Sequence, residues 1–214
     1  MADPRHLRKD YQVAALDRAG LPDDPRTLFE RWFEDAVAAR LDEPHGMALA
    51  TVEPDGRPSC RIVLMRGVDA RGLTFFTNHG SGKARALRHE PRAAATFWWG
   101  ALERQVRIEG DVTPLHDAES DAYWSTRPRQ SQLAAWASPQ SETVADRAWL
   151  EAQIEAFALR FPDTMAIPRP ACWGGYLLRP RTWEFWQGRP ARTHDRFRFT
   201  RDADGNHSVV RLAP

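Results

Sequence analysis

Residues 47–77, MALATVEPDGRPSCRIVLMRGVDARGLTFFT, carry the pattern that decides the fold. Three apolar runs with a period close to two are separated by turn sequences at Pro54–Arg57 and at Asp69–Gly72. Because parallel strands need long crossovers, strands joined by such short turns pair in the antiparallel sense. The stretch therefore predicts a meander of three strands, at 47–53, 58–66 and 73–77.

The same alternation recurs on both sides of a helical middle segment. It predicts further strands at 93–99, 105–113, 173–178, 182–187, 196–200 and 208–212, the last two joined by a hairpin loop at Asp202–Asn206. Shorter helices are predicted at 83–89, 117–125 and 130–137, and a longer one at 142–161. Nine short strands with a few helices indicate a mainly β protein, a small antiparallel barrel with helices packed outside it.

The first helix has a clear start signal. Asp24 is a good N-cap, and Pro25 suits the first helical position. An apolar stripe at helical spacing follows, and Pro44-His45-Gly46 ends the helix. The stripe consists of Leu28, Phe29, Trp32, Phe33, Val37 and Leu41.

Length and composition limit the class of protein. The 214 residues fit one domain, which we expect at 21–214, preceded by a polar arm at 1–20 that orders only against something else. No apolar run approaches the ~20 residues that span a bilayer, and the N-terminus lacks a secretory pattern. Cys60 and Cys172 lie far apart and have no metal-ligand spacing, as expected for free thiols in a reducing compartment. We therefore expect a cytoplasmic protein without a metal site and without membrane contact.

The charge pattern points to a small anionic ligand. Thirty basic and 29 acidic residues give a net charge of +1, which argues against a nucleic-acid partner. Arginine heavily outnumbers lysine, and several arginines stand in apolar and aromatic stretches where a solvated face would not need them. The planar guanidinium suits phosphates and carboxylates, so a compact phosphorylated or carboxylated molecule is the better expectation.

Two segments are candidates for that ligand, each with a plain structural alternative. Arg61 and Arg66 flank an aliphatic run, and on pattern alone two strand ends that reach solvent are the favoured explanation. The loop from Thr77 to Lys83 lies between a strand and a helix. Its small residues expose backbone N–H groups that suit a phosphate, although ordinary strand-to-helix turns use the same residues.

Two further groups of residues have a suggestive spacing. Tyr123, Arg127 and Ser131 are four residues apart, so they can converge on one phosphate if the chain bends at Pro128; a polar surface segment is an equal alternative. Arg192, His194 and Arg196 alternate, so in extended chain they share one face and repel one another unless an anion or solvent meets them. No nucleophile elbow, dinucleotide fingerprint, Walker loop or His/Cys metal pattern is present.

Taken together, the segments resemble the pyridoxamine 5′-phosphate oxidase (pyridoxine 5′-phosphate oxidase) family. The resemblance runs in the family's order from about residue 8 to the end, and several motifs together make it specific. The matching stretches are LPDDPRTLFERW, RIVLMR, FFTNHGSGKA, LERQVRIEG, YWSTRPRQSQLAAWASPQS, CWGGY, EFWQG, RTHDRF and RLAP.

The resemblance implies an FMN-binding split β-barrel that works as a homodimer, with two flavin sites at the subunit interface. The abundant aromatics, such as Trp98 and Trp99, include candidates for that interface. The implied reaction oxidises pyridoxine 5′-phosphate or pyridoxamine 5′-phosphate to pyridoxal 5′-phosphate with O2 as acceptor, giving H2O2. Whether His194 or an ordered water takes the proton stays open. The alternatives are a related flavin oxidase of phenazine biosynthesis and a non-catalytic carrier of FMN or pyridoxal phosphate.

The resemblance also implies roles for individual residues. Arg192 and His194 would flank the substrate's pyridine ring as the catalytic pair. FMN contacts would come from Arg61, Ile62, Val63, Leu64, Arg66, Phe76, Thr77, Lys83, Gln105, Gln140, Ser141, Trp186 and Arg196. Substrate contacts would come from Arg8, Tyr11, Arg66, Tyr123, Arg127, Ser131, Arg192 and His194.

Two positions depart from the family pattern. Arg66 stands where the family usually has lysine, which keeps the charge and changes its shape. Gly82 stands where the family usually has arginine, which removes one expected partner of the FMN phosphate.

Overall fold

The computed structural model describes Asp3, His6 and residues 9–214. Within this part of the chain there are five α-helices and eight strands. The helices are α1 (Pro25–Ala38), α2 (Gly82–His89), α3 (Asp117–Thr126), α4 (Arg129–Ala137) and α5 (Arg147–Arg160). The strands are β1 (Gly46–Val52), β2 (Pro58–Asp69), β3 (Gly72–Asn78), β4 (Arg92–Trp99), β5 (Arg104–Pro114), β6 (Trp173–Gln187), β7 (Asp195–Arg201) and β8 (His207–Arg211).

All strand pairs are antiparallel, and six of the strands close into a barrel. The order along the sheet is β3-β2-β1-β4-β5-β6-β7-β8, and an additional pairing of β3 with β6 closes the ring. The predicted meander is present, with Leu49 opposite Arg61 in β1–β2 and Met65 opposite Phe75 in β2–β3. The expectation of a mainly β, antiparallel split barrel with flanking helices is confirmed.

The sixth strand corrects the prediction of two separate strands at 173–178 and 182–187. It runs unbroken through Pro180 because the β5–β6 register shifts between Glu109 and Gly110, and this irregularity accommodates the proline. At Gly110 a Cβ would lie 1.9 Å from the carbonyl oxygen of Arg179, so this close approach requires glycine. The described chain therefore has eight strands, one fewer than expected.

The fifth helix also differs from the prediction, since it begins at Arg147 and not at 142. The side chain of Asp146 caps it by accepting the backbone N–H of Trp149 at 2.7 Å. Five residues earlier, Ser141 has a left-handed φ of 76°, which is incompatible with a continuing helix. The segment at 138–146 is consequently a loop that is free to contact the barrel.

The first helix covers the barrel with one apolar face. Asp24 caps it as predicted, and Leu28, Phe29 and Trp32 are buried. The ring of Phe29 is fully buried and lies 5.1 Å from that of Phe97 on β4. Towards its end the predicted stripe is wrong: the helix ends at Ala38, before Leu41, and Ala36 is buried where Val37 is 52% exposed.

A second, smaller apolar cluster holds the middle helices against the barrel. Trp124 of α3 and Leu133 of α4 are buried with Trp173, the first residue of β6. The indole N–H of Trp124 donates to the carbonyl of Ile167 at 2.8 Å. This cluster fixes the α3–α4 connection beside β2 and β3. No helix in the described residues is long and apolar enough to cross a membrane.

Candidate functional site

A cavity of about 850 Å³ opens between β2, β3, the start of α2 and the α3–α4 connection. It brings together twelve of the residues predicted for the cofactor and the substrate, which come from five separate segments of the chain. They are Arg61, Ile62, Val63, Leu64, Arg66, Phe76, Thr77, Lys83, Tyr123, Arg127, Ser131 and Gln140. Thr126, Pro128 and Trp173 complete the lining.

The two arginines of β2 are not strand ends, because the strand runs from Pro58 to Asp69 and contains both of them. The guanidinium of Arg61 donates to the hydroxyl of Thr51 at 2.8 Å, and the carboxylate of Glu53 lies 3.9 Å away. The guanidinium of Arg66 lies over the ring of Tyr123 at 5.9 Å. At about 3.3 Å per residue the two positions are roughly 16 Å apart along the strand, so they define two separate cationic regions.

The strand-to-helix loop places a lysine beside Arg61. The ammonium of Lys83 donates to the hydroxyl of Thr77 at 3.0 Å and to the side-chain oxygen of Gln140 at 3.1 Å, both neutral partners. Burial lowers the pKa of Lys83, and the neighbouring charge of Arg61 lowers it further. A bound anion would relieve both effects, so this end of the cavity suits a phosphate.

The backbone at Gly82 is also directed towards this region. Its N–H donates to the hydroxyl of Ser141 at 3.1 Å, and Ser81 caps α2 by accepting the N–H of Ala84. A Cβ at position 82 would lie 3.7 Å from the hydroxyl of Ser141 and 4.0 Å from the guanidinium of Arg85, which are ordinary contact distances. The backbone therefore leaves room for a Cβ here, whereas the chain offers only its backbone N–H at this position.

The predicted convergence of Tyr123, Arg127 and Ser131 requires a bend, and the bend is present. Helix α3 ends at Thr126 and α4 begins at Arg129, with Pro128 between them. The guanidinium of Arg127 donates to the carbonyl of Ser131 at 2.9 Å. All three residues line the cavity, so the spacing argument predicted their proximity correctly.

Aromatic rings hold the Arg127 side chain in place. Its guanidinium lies 4.5 Å above the ring of Trp173, and the ring of Tyr123 stacks on Phe76 at 4.1 Å. Burial lowers the pKa of Arg127; Tyr123 opposes this, and the charge of Arg66 adds to it. The guanidinium is thus held close to a second cation without a carboxylate partner among the lining residues.

The electrostatics of the cavity select anions. Four cationic side chains line it, and none of the fifteen lining residues is a carboxylate. Arg61 and Lys83 lie at one end, Arg66 and Arg127 at the other, and the aliphatic side chains of Ile62, Val63 and Leu64 come from the strand between them. Ile62 is 66% exposed, so its side chain presents an apolar surface to the cavity. The cavity therefore offers positions for two anionic groups with an aliphatic strip between them.

Three of the other predicted residues, Gln105, Trp186 and Arg196, lie outside this cavity and form, together with Trp98, a row across four strands. Trp98 of β4 is opposite Gln105 of β5, Gln105 is opposite Trp186 of β6, and Trp186 is opposite Arg196 of β7. Directly opposed residues in antiparallel strands point to the same face, so these side chains form one surface. We call it the aromatic row. Trp98 is 54% exposed in it, whereas Trp99 points into the core, 2% exposed, which corrects its assignment as an interface residue.

Two more predicted residues pack on the aromatic row. The rings of Tyr11 and His194 lie 5.5 Å and 4.6 Å from that of Trp186, and 5.5 Å from each other. The Nδ1 atom of His194 accepts the backbone N–H of Arg189 at 3.1 Å, which leaves Nε2 for other partners. Arg8 lies outside the described residues.

The expectation that Arg192, His194 and Arg196 share one face of an extended chain is wrong. Ala191 and Arg192 have left-handed φ values of 53° and 62° in a short turn, and β7 begins only at Asp195. Arg196 meanwhile donates to the carboxylate of Glu184 at 2.8 Å.

Sequence reasoning missed three buried carboxylates near these groups, those of Glu103, Glu184 and Asp195. Glu184 binds Arg196, and Glu103 binds the N-terminal segment at residues 9–13. The one signal for Glu184 was an acidic residue inside the aromatic run TWEFWQ, where a solvated side chain is not expected.

Fold and cavity together define a split-barrel protein whose site suits phosphorylated aromatic ligands. The sequence model described as pyridoxamine 5′-phosphate oxidase matches residues 33–161. The one described as the pyridoxine 5′-phosphate oxidase C-terminal dimerisation region matches residues 173–214.

Individual relatives agree with the family models. Proteins named pyridoxine/pyridoxamine 5′-phosphate oxidase from Ralstonia pickettii and Pseudomonas paraeruginosa are 52% and 53% identical over 208 and 210 residues, with 97% of each chain covered. The crystal structure of PhzG from Burkholderia lata, in complex with tetrahydrophenazine-1-carboxylic acid, superposes with a TM-score of 0.89 at 33% identity, covering 96% of this chain and all of that one. The chain belongs to the pyridoxamine 5′-phosphate oxidase family.

Proposed function

We propose that the protein is an FMN-dependent oxidase that converts pyridoxine 5′-phosphate and pyridoxamine 5′-phosphate to pyridoxal 5′-phosphate. Electrons pass to O2, which is released as H2O2. The observation that carries the proposal is the cavity with two cationic ends and no lining carboxylate. One cationic end can bind a cofactor phosphate, and the other can bind a substrate phosphate.

The end formed by Arg61 and Lys83 is the better position for the FMN phosphate. It joins two cations, the backbone N–H of Gly82 and the hydroxyl groups of Thr77 and Ser141 at the start of a helix. The aliphatic run at 62–64 then lies along the flat ring system. Bound FMN would supply acceptance of a hydride from C4′ of the substrate and transfer of both electrons to O2.

The end formed by Arg66, Tyr123, Arg127 and Ser131 holds the substrate phosphate. Because the phosphate is remote from the reacting carbon, its binding energy orients the pyridine ring. Oxidation of the alcohol removes a hydride from C4′ and a proton from its oxygen. Oxidation of the amine removes a hydride from C4′ and a proton from nitrogen and gives an imine, which water hydrolyses to the aldehyde with release of ammonia.

The aromatic row supplies the rest of the site from a second subunit. Gln105, Trp186 and Arg196 contact the cofactor in this proposal, Arg192 and His194 flank the substrate ring, and Tyr11 with Arg8 covers it. The match of residues 173–214 to the family's dimerisation region supports a homodimer, since this region contains β6, β7 and β8. The aromatic row of one copy would then face the cavity of its partner. A single domain at 21–214 in the cytoplasm completes the proposal.

The purified protein is expected to show the visible absorption of one noncovalent FMN per chain. Anaerobic addition of pyridoxine 5′-phosphate should bleach that absorption, because the electrons have no acceptor beyond the flavin, and admission of air should restore it with release of H2O2. Unphosphorylated pyridoxine at the same concentration serves as the control. A protein that neither carries flavin nor gains it from added FMN contradicts the proposal. A protein that binds FMN without bleaching is a carrier.

Light scattering is expected to give twice the mass of one chain at micromolar concentration. The reason is that the cavity and the aromatic row, which together hold the proposed site, lie apart on one chain. A monomeric species with full activity would overturn the two-subunit site. PhzG-type chemistry is the second candidate on the structural similarity of that relative; turnover of tetrahydrophenazine-1-carboxylic acid in preference to pyridoxine 5′-phosphate would favour it.

A further inference from the structure

Glu103 is a buried acid with a strained backbone. It lies between the short turn at Gly100–Leu102 and β5, has a left-handed φ of 55°, and is 1% exposed. Both features are costly for a glutamate, since the left-handed region favours glycine and a buried carboxylate needs partners. The contacts of Glu103 must therefore offset the free-energy cost of its backbone conformation and of its burial.

The contacts of the carboxylate all come from the N-terminal segment. One oxygen accepts the backbone N–H groups of Gln12 at 2.8 Å and Val13 at 2.9 Å, and the other lies 3.0 Å from the ammonium of Lys9. Burial alone would raise the pKa of Glu103, but the N–H of Val13 and the charge of Lys9 outweigh it and hold the pKa below its ordinary value. The carboxylate is therefore ionised at neutral pH. It binds the arm by accepting from three donors, the N–H groups of Gln12 and Val13 and the ammonium of Lys9.

The backbone of Glu103 is hydrogen-bonded to a different part of the chain, the end of β6. Its carbonyl accepts the N–H of Gly188 at 2.7 Å and the side-chain amide of Gln187 at 3.1 Å. Tyr11 lies between Lys9 and Gln12, two of the arm residues that Glu103 binds. Its ring packs directly on Gly188, because a Cβ at position 188 would lie 2.8 Å from the ring. One residue thus fixes both the ring of Tyr11 and the surface beneath it.

We propose that Glu103 is a positioning residue. It holds the ring of Tyr11 against Trp186 and His194, and so fixes the surface that covers the bound substrate. The inference rests on the proposed function for its effect on turnover, and on the geometry alone for its effect on the arm. Glu103 is not among the residues that line the cavity. Two further contacts hold the arm beyond Tyr11: the N–H of Leu16 donates to the carboxylate of Asp195 at 3.1 Å, and the guanidinium of Arg189 donates to the carbonyl of Ala14 at 3.3 Å. The bonds of Glu103 to Gln12 and Val13 lie nearer to Tyr11 in the chain.

Glu103→Gly is the sharpest test, because glycine suits the left-handed backbone while the anchor is removed. Glu103→Gln keeps the shape and removes the charge. We expect both variants to bind FMN as wild type does. In both, the Michaelis constant for pyridoxine 5′-phosphate should rise about tenfold with a smaller change in kcat, since a displaced Tyr11 ring no longer contributes its contact with the bound substrate. Limited trypsin digestion should cleave after Lys9 faster than in wild type, with or without substrate.

A double-mutant cycle with Tyr11→Ala separates positioning from a structural role. If Glu103 acts through Tyr11, Glu103→Gly causes no further rise in the Michaelis constant in the Tyr11→Ala background. Additive effects, or a lower melting temperature with an unchanged Michaelis constant, would overturn the proposal. If neither wild type nor variant turns over the substrate, the proposed function fails. The trypsin digestion still tests whether Glu103 holds the arm, because it does not depend on turnover. Unchanged cleavage after Lys9 would show that Glu103 does not hold it.

Discussion

Arg127→Ala is expected to raise the Michaelis constant for pyridoxine 5′-phosphate between about ten- and a hundredfold. A lost charge-assisted hydrogen bond is worth roughly 1.5–3 kcal/mol, and about 1.4 kcal/mol corresponds to a factor of ten. Arg127 is the cavity cation that aromatic rings hold in place and that has no carboxylate partner among the lining residues. The measurement compares phosphorylated with unphosphorylated pyridoxine in wild type and variant.

The chain offers a matched control for the loss of a stacked arginine. Arg160 on α5 lies over the ring of Trp136 at 5.5 Å but does not line the cavity. Arg160→Ala should leave the preference for the phosphorylated substrate intact. By contrast, Arg192→Ala should lower kcat with FMN still bound. If Arg127→Ala retains the wild-type preference for the phosphorylated substrate, Arg127 does not bind the phosphate and the site assignment fails.

Phe29→Ala is expected to lower the free energy of unfolding by about 3–5 kcal/mol, the range for large aromatic side chains removed from a core. The ring is fully buried between α1 and the barrel, within 5.4 Å of the rings of Phe97 and Trp183. Denaturant titration at fixed protein and flavin concentration measures the change, because bound cofactor and dimerisation both add to apparent stability.

The same helix supplies the control. Val37 belongs to the stripe predicted from the sequence but is 52% exposed, so Val37→Ala should change the free energy of unfolding by no more than about 0.5 kcal/mol. Equal losses from the two substitutions would mean that α1 packs on the barrel with a different face.

Local sequence signals predicted most of the fold and one part of the site. The turns at 54–57 and 69–72 fix the first three strands, and the four-residue spacing of Tyr123, Arg127 and Ser131 survives because a single proline bends the chain. These features depend on neighbours in sequence. For the same reason the loop from Thr77 to Lys83 was correctly located between a strand and a helix.

What the sequence did not predict depends on distant partners. Trp98 and Trp99 are adjacent, and alternation says only that they face opposite sides, so the assignment of Trp99 to the surface failed. Glu103 meets its partners about 90 residues away in the chain, at Gln12 and Val13, and no spacing rule connects them. The unbroken β6 depends on a register shift in β5 that no periodicity reveals.

The sixth strand has a consequence for the synthesis of the protein. Because β6 pairs with both β3 and β5, a nascent chain that has emerged only as far as α5 carries two unpaired strand edges on the unclosed barrel. Pairing β3 with β6 also joins segments about a hundred residues apart, a slow step by loop-closure entropy. Until the last quarter of the chain has left the ribosome, the growing polypeptide therefore exposes two open strand edges, and protection by chaperones matters most in that interval.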